Sequence, residues 1–189
     1  MNRVVPWLFP LLWLLWIVYW GIQSRGVKAN VWAESLPSRL MHVVPLVIAT
    51  LLLIFNVPVL GMDERFLPWS LATFWVGFAL TAAGLSFTVW ARRHLATNWS
   101  GDITLKADHE LIMSGPYAWA RHPIYTGLLL GFAGSAVAVG EWRGVAAAVL
   151  VGLALWRKLR IEERGMRQLF GERYLAYERH VSALIPFVF

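Results

Sequence analysis

The chain has 189 residues, 58% of them hydrophobic and only 15% charged, with a mean hydropathy of +0.56. Soluble domains are about 45–50% apolar and about 25% charged, so this composition excludes an ordinary water-soluble globule and allows a single domain. With no cysteine, disulfide frameworks, Cys-ligated zinc, iron–sulfur clusters and thiol nucleophiles all drop out, while a net charge of +6 leaves nucleic acid, anionic lipid or an acidic substrate to be separated by charge placement.

Five apolar stretches follow in chain order: Val4 to Ile22, Leu40 to Leu60, Trp69 to Trp90, Ile124 to Gly140 and Gly144 to Leu159. A helix needs about 20 apolar residues to cross the hydrocarbon core, within a range of about 17–25. The first three stretches satisfy that, and the shorter last two read as a helical hairpin joined by Glu141-Trp142-Arg143. A hairpin buried in a soluble core is the competing reading for that pair, and a signal peptide for the first stretch. The first run is long for a signal sequence, and no small-x-small cleavage site follows it cleanly. Trp7, Trp20, Trp69, Trp90, Trp142 and Trp156 fall near the stretch ends, as an interfacial belt requires.

Basic residues fix the expected orientation. With the N-terminus outside, Arg25, Lys28, Arg39, Arg92, Arg93, Lys106 and Arg121 are cytoplasmic, as are Arg157, Lys158, Arg160, Arg164, Arg167, Arg173 and Arg179. Only Arg3, Arg65 and Arg143 of the 17 Lys and Arg remain outside, the asymmetry that the positive-inside rule favours. Charge is thereby explained without nucleic acid. The expected fold is an all-α integral membrane protein of five transmembrane helices. It forms one domain, with three N-terminal spans over 1–90 and the catalytic part over 91–189. Asn98-Trp99-Ser100 matches a glycosylation sequon but faces the cytosol in this topology.

Gly127, Gly131 and Ser135 on the fourth span, and Gly144, Ala148 and Gly152 on the fifth, recur every four residues. Such stripes let the two helices of the hairpin approach closely. Beyond the fifth span the helix continues into water, and a second amphipathic piece follows Gly171, with Tyr174, Tyr177, Val181 and Leu184 at helical spacing. His42, inside the second span near its interfacial end, reads as structural.

No dinucleotide fingerprint, phosphate-binding loop or nucleophile elbow is present. His109-Glu110 opens like a zincin motif, but Met113 stands where the second His belongs, so no metal site is expected. Chemistry concentrates instead in Ser114 to Gly127, where Pro116 and Pro123 break regular helix and expose backbone groups. Irregular backbone at a membrane boundary is tolerated where it lines a polar cavity.

These elements resemble the isoprenylcysteine carboxyl methyltransferase family, within the small membrane methyltransferases that include phospholipid N-methyltransferases. The resemblance rests on Asn98-Trp99-Ser100, His109-Glu110-Leu111-Ile112, Gly115-Pro116-Tyr117 and Arg121-His122-Pro123-x-Tyr125-x-Gly127. It continues through Glu162-Glu163, Phe170-Gly171-Glu172-Arg173-Tyr174, Tyr177, Val181 and Ile185-Pro186-Phe187, while the first three spans match only in number and hydrophobicity.

The resemblance implies S-adenosylmethionine as methyl donor, bound in a cytosol-facing pocket by His109, Glu110, Leu111, Ile112, Tyr117, His122, Pro123, Ile124, Tyr125 and Glu162. A Gln contact of the family is replaced around Thr104. Arg121, Lys158 and Glu163 are the residues expected at the reacting groups, Lys158 standing where family enzymes carry Arg. The implied acceptor is lipidic or prenylated and enters from the bilayer, in a cell membrane or the endoplasmic reticulum according to the source.

The residues agree with that chemistry. Aromatic faces such as Tyr117 and Tyr125 stabilise a sulfonium cation, and Glu162 supplies acceptor oxygens. A carboxylate acceptor is ionised near neutral pH and needs no general base; a lipid amine needs one, for which His122 and Glu163 are the candidates. Lys158 and Glu162, four apart, share a helix face, and Glu163 is rotated by about 100°. A membrane reductase and a non-catalytic scaffold or carrier are the other classes this pattern leaves open.

Overall fold

The computed structural model describes residues 7–24, 30–96, 104–106 and 110–185. Six helices dominate the described residues: α1 (Leu8–Gln23), α2 (Leu36–Ile54), α3 (Leu71–Leu95), α4 (Pro123–Val139), α5 (Trp142–Phe170) and α6 (Glu172–His180). The all-α expectation holds for the architecture, with one small addition: β1 (Asn30–Ala33) pairs antiparallel with β2 (Thr104–Lys106), Asn30 opposite Lys106 and Ala33 opposite Thr104. Two connecting segments that meet at the same end satisfy their backbone groups by pairing.

Helix ends follow local chemistry. Ser70 caps α3 by accepting from the Thr73 N–H at 3.0 Å. α2 starts and stops earlier than its apolar run: Pro37 occupies a first-turn position that needs no N–H, and the chain turns extended at Phe55. α4 opens with Pro123 and closes on Gly140, whose φ of 68° is the left-handed turn that ends a helix without steric cost. α5 runs past the end of the apolar stretch at Leu159 and continues to Phe170, so the fifth stretch and its charged extension are one helix, as expected.

Neighbouring contacts set the helix directions. Gly77 and Gly84 of α3 face Gly134 and Gly127 of α4 in reverse order. Gly144 near the start of α5 touches Ala136 near the end of α4. Arg157 of α5 reaches Ser38 at the start of α2, while Arg143 reaches Leu52, Leu53 and Phe55 at its end. Phe9 packs on Phe74 and Phe78, and Trp16 donates to Thr88, so α1 runs alongside α3. The five long helices therefore alternate in direction. One end of the bundle gathers the exit of α1, the entry of α2, the exit of α3, the segment before α4 and the charged half of α5.

The closest seam is α3 against α4. A Cβ on Gly84 would lie 2.5 Å from the Gly127 carbonyl oxygen, and one on Gly77 2.5 Å from that of Gly134. Thr81 reinforces the seam by donating to Gly77 O (2.9 Å) and Gly131 O (3.2 Å). The fourth-span stripe is expected to face the fifth helix, and its pairing is corrected: Gly127 faces Gly84 of α3, Gly131 meets Leu85 and Trp13, and Ser135 meets Thr81 of α3 and accepts from Trp13 of α1. Of the two glycines in the fifth-span stripe, Gly144 approaches the α4 backbone at Ala136, whereas Gly152 meets the Leu129 side chain at 3.8 Å. α3 offers a complementary small-residue face, and backbone-to-backbone contact needs small residues on both sides.

α2 and α3 are long and apolar enough to cross a membrane; α1 and α4, with 16 and 17 residues, are shorter apolar helices. Only 11% of the apolar window of α2 is buried, which a soluble core helix would not show. Leu14, Leu15, Ile17 and Val18 of α1, with Val43, Val44, Val47 and Ile48 of α2, are exposed in apolar faces too broad for a water-soluble surface.

Candidate active site

The site begins where Gly115 turns the chain. At its φ of 59°, a Cβ would meet the His94 ring at 2.7 Å, so the turn needs glycine both for conformation and for space. His94 shares a 2.9 Å hydrogen bond with the Ser114 hydroxyl and stacks on Tyr117, with centroids 6.4 Å apart. A 3-10 turn (Gly115–Ala118) buries Tyr117, whose carbonyl accepts from the Tyr177 hydroxyl of α6 at 2.5 Å.

The segment after α6 then runs beside the break before α4. Arg121 N donates to Ser182 O and His122 N to Ala183 O, both at 2.9 Å, and the Thr126 hydroxyl donates to Leu184 O at 2.5 Å. This lacing satisfies backbone donors that Pro123 prevents from joining a regular helix.

Within this frame the charged residues form two linked groups. Arg121 donates from Nε (2.9 Å) and Nη2 (2.7 Å) to Glu163 Oε1. Its Nη1 donates to the carbonyl of Val181 and, at 3.4 Å, to that of Glu178. Arg167 pairs with both Glu178 oxygens at 2.9 and 2.8 Å and approaches Glu163 Oε2 to 3.6 Å. On the other flank, Tyr125 donates to Glu162 Oε1 at 2.6 Å, and Lys158 Nζ lies 5.7 Å from the centre of the Tyr125 ring. His122 joins the groups, with Nδ1 3.5 Å from Glu162 Oε2 and Nε2 3.4 Å from Glu163 Oε1. It lies parallel to Tyr125, at a centroid distance of 5.3 Å and an angle of 4°.

Electrostatics divides the two glutamates. Burial lifts the Glu163 carboxyl, but His122 and Arg121 outweigh that and bring it from 4.5 to about 2. Burial also opposes ionisation of Glu162, yet His122, Lys158 and the Tyr125 hydroxyl hold it below its ordinary value. For His122, burial disfavours the charge while Glu162 and Glu163 favour it more strongly, so its pKa is raised. Glu162 is the open carboxylate, its side chain 22% exposed against 4% for Glu163. It keeps accepting capacity towards a ligand, whereas Glu163 is enclosed by cations.

Arg121, His122, Tyr125, Lys158, Glu162 and Glu163 thus meet in one place. Lys158 and Glu162 share Tyr125, as their spacing predicts, and Glu163 turns to the other flank. Pro123 is buried, and Ile124 packs against the core around Tyr125 and Phe132. Glu110 is exposed, Ile112 is half-buried, and Leu111 is buried against Tyr174 and Tyr177, a second cluster tied to the site through the Tyr177–Tyr117 bond. His109 and the Asn98-Trp99-Ser100 motif lie outside the described residues, as do Pro186 and Phe187.

The sequence reading missed His94, Arg167 and Glu178. His94 stands in no motif. The i,i+4 spacing of Glu163 and Arg167 was the available signal for the second, and nothing local marks Glu178 as its partner. The donor set suits a cationic, hydroxyl-bearing ligand: an open carboxylate for hydroxyl or ammonium groups, with the Tyr125 ring beside it.

A family model described as phospholipid methyltransferase matches residues 72–173. Protein-S-isoprenylcysteine O-methyltransferase B of Arabidopsis thaliana is 32% identical over 111 residues, covering 58% of this chain and 51% of that protein. The human protein-S-isoprenylcysteine O-methyltransferase is 32% identical over 114 residues, covering 58% of this chain and 36% of its own length. The chain thus spans about half the length of the plant relative and about a third of the human one. Among solved structures, a eukaryotic intramembrane Ras methyltransferase, an isoprenylcysteine carboxyl methyltransferase, is similar with a TM-score of 0.57 at 22% identity. That likeness covers 84% of this chain and 55% of the other and concerns the fold.

Proposed function

The chain belongs to the phospholipid methyltransferase family, and from that premise we propose that it methylates the carboxylate of an isoprenylcysteine-like acceptor, using S-adenosylmethionine. The observation that carries the choice of acceptor is the engagement of both candidate bases. Glu163 is held by Arg121 and His122, and His122 stands between two carboxylates that favour its charged form. Neither is poised to take a proton from an ammonium. A carboxylate needs no such step.

S-adenosylmethionine supplies an electrophilic methyl on a sulfonium. Glu162, steadied by Tyr125 and His122, holds a polar group of the cofactor, and the rings of Tyr117 and Tyr125 face its cationic part. Glu110 to Ile112 and His122 to Ile124 supply backbone and apolar contacts, and His109 is proposed as a further contact from its motif. Lys158 draws the acceptor carboxylate from the lipid side, while Arg121 and Glu163 hold the site's frame. Positioning two reactants in line supplies much of the rate, up to about 7–11 kcal/mol in favourable cases.

The five alternating helices are proposed as five spans with the N-terminus outside and the site at the cytoplasmic face. Support comes from the gathering of Arg92, Arg121, Arg157, Lys158 and Arg167 at one end. At the other, Arg65 and Arg143 pair with Glu141.

The test is calorimetric titration of the purified protein with S-adenosylmethionine, then methyl transfer to a prenylated cysteine acid or to phosphatidylethanolamine vesicles. A methyl ester is the expected product. Lys158→Met raises the acceptor KM with cofactor affinity kept, and Glu162→Gln weakens the cofactor first. A methylated amine without ester refutes the carboxylate reading in favour of the amine chemistry that the family description also covers.

A further inference from the structure

Glu34, between β1 and α2, stands apart from the ion pairs of the site. Its side chain is 3% exposed, and among the described residues neither carboxylate oxygen receives a hydrogen bond. Oε1 lies 3.3 Å from Nε2 of His42, whose side chain is also 3% exposed and whose Nδ1 is likewise without a hydrogen bond. Ser38 lies midway between them in sequence, and Arg157 of α5 donates to its carbonyl and its hydroxyl at 3.1 Å each, so this face of α2 docks on α5. Lys158, Arg157 and Glu162 of α5 are charges that act on His42, and Glu34 acts with Glu162 on the Tyr125 hydroxyl. Glu34 therefore lies at the end of the bundle where α2 docks on α5, within electrostatic reach of Tyr125.

A buried carboxylate without donors is costly, and a native protein that keeps one generally has a use for it. We propose that Glu34 accepts an N–H of the methyl acceptor. This rests on the carboxylate reading above and deepens it. Lys158 meets the carboxylate that receives the methyl, and Glu34 meets nitrogen on the adjacent carbon. The recognised head is then an α-amino acid, free or acylated, rather than any lipidic acid.

The experiment uses the full chain in detergent with two acceptors of identical tail: N-acetyl-S-farnesylcysteine and S-farnesyl-3-mercaptopropionate, which lacks the nitrogen. Wild type is expected to show a KM about tenfold lower for the first, the size of one charge-assisted hydrogen bond at its low end. Glu34→Ala removes that preference by raising the first KM about tenfold, leaving the second KM and the S-adenosylmethionine affinity within about twofold. Glu34→Gln, which keeps an accepting oxygen, recovers part of the preference. Equal wild-type KM values, equal losses on both acceptors, or loss of cofactor affinity in both variants each overturn the role of Glu34 alone. Wild type that binds the cofactor but methylates neither acid overturns the carboxylate reading, and this role with it.

Discussion

Replacing Glu163 by Gln keeps the side chain's shape and deletes the charge on which Arg121, His122 and Arg167 converge. The carboxyl moves from 4.5 to about 2 on folding, and at about 1.36 kcal/mol per unit this amounts to about 3 kcal/mol. Breaking a buried ion pair by removing one partner costs about 3–5 kcal/mol, the same order. Because the folded pKa is depressed, the stabilisation is complete above 4.5 and is lost as pH falls towards 2. The loss falls on the docking of α6 and residues 181–185, since Arg121 ties Glu163 to the carbonyls of Glu178 and Val181. Amide hydrogen exchange over 172–185, corrected for intrinsic rates, is the assay. Glu163→Gln should lose about 100-fold protection at pH 7, at about 1.4 kcal/mol per tenfold. Wild-type protection should decline as pH drops below 4.5, with this contribution to the decline absent from the variant. Unchanged protection at pH 7, or an identical pH profile in the two proteins, refutes the reasoning.

Tyr125→Phe deletes the 2.6 Å bond to Glu162 and should weaken S-adenosylmethionine binding about tenfold, while the ring keeps its packing; charge-assisted bonds are worth about 1.5–3 kcal/mol. Calorimetry checks this, and wild-type affinity in the variant places the cofactor elsewhere. Gly127→Val puts a side chain where even a Cβ would stand 2.5 Å from Gly84 O, so α3 and α4 must part; thermal stability in detergent should fall by several degrees, whereas Gly21→Val, with nothing within 4 Å, should be neutral. A cysteine at Gly61 should label from outside intact cells and one at Lys106 only after permeabilisation, and the reverse pattern ends the proposed topology.

Helix existence was legible because long apolar runs have few alternatives, and the Lys158–Glu162 face because spacing within one helix is fixed. What a helix face meets was not legible. Gly127 and Gly144 share a stripe pattern, yet one touches α3 and the other α4, a choice that periodicity does not encode. The β1–β2 pair escaped notice because its strands have four and three residues and are joined only by tertiary contact. Arg121 was singled out as a group near the reaction, but its tie to Glu163 and to the carbonyls after α6 depends on residues 42 to 60 positions away.

The seam between α3 and α4 also bears on how such a chain can change over generations. Where a large residue meets a small one, enlargement on one side can be offset by reduction on the other. At Gly77 with Gly134, and at Gly84 with Gly127, both sides are already at the minimum, so neither has anything left to give up. No second-site substitution within these pairs restores the fit, and a lineage that drifts there has no nearby route back. The outward faces of α1 and α2 meet no such limit, since one aliphatic side chain serves there about as well as another. Divergence should therefore collect in the first two helices and leave the glycine pairs in place, and the stretch matched by the family model opens within α3, after both have passed.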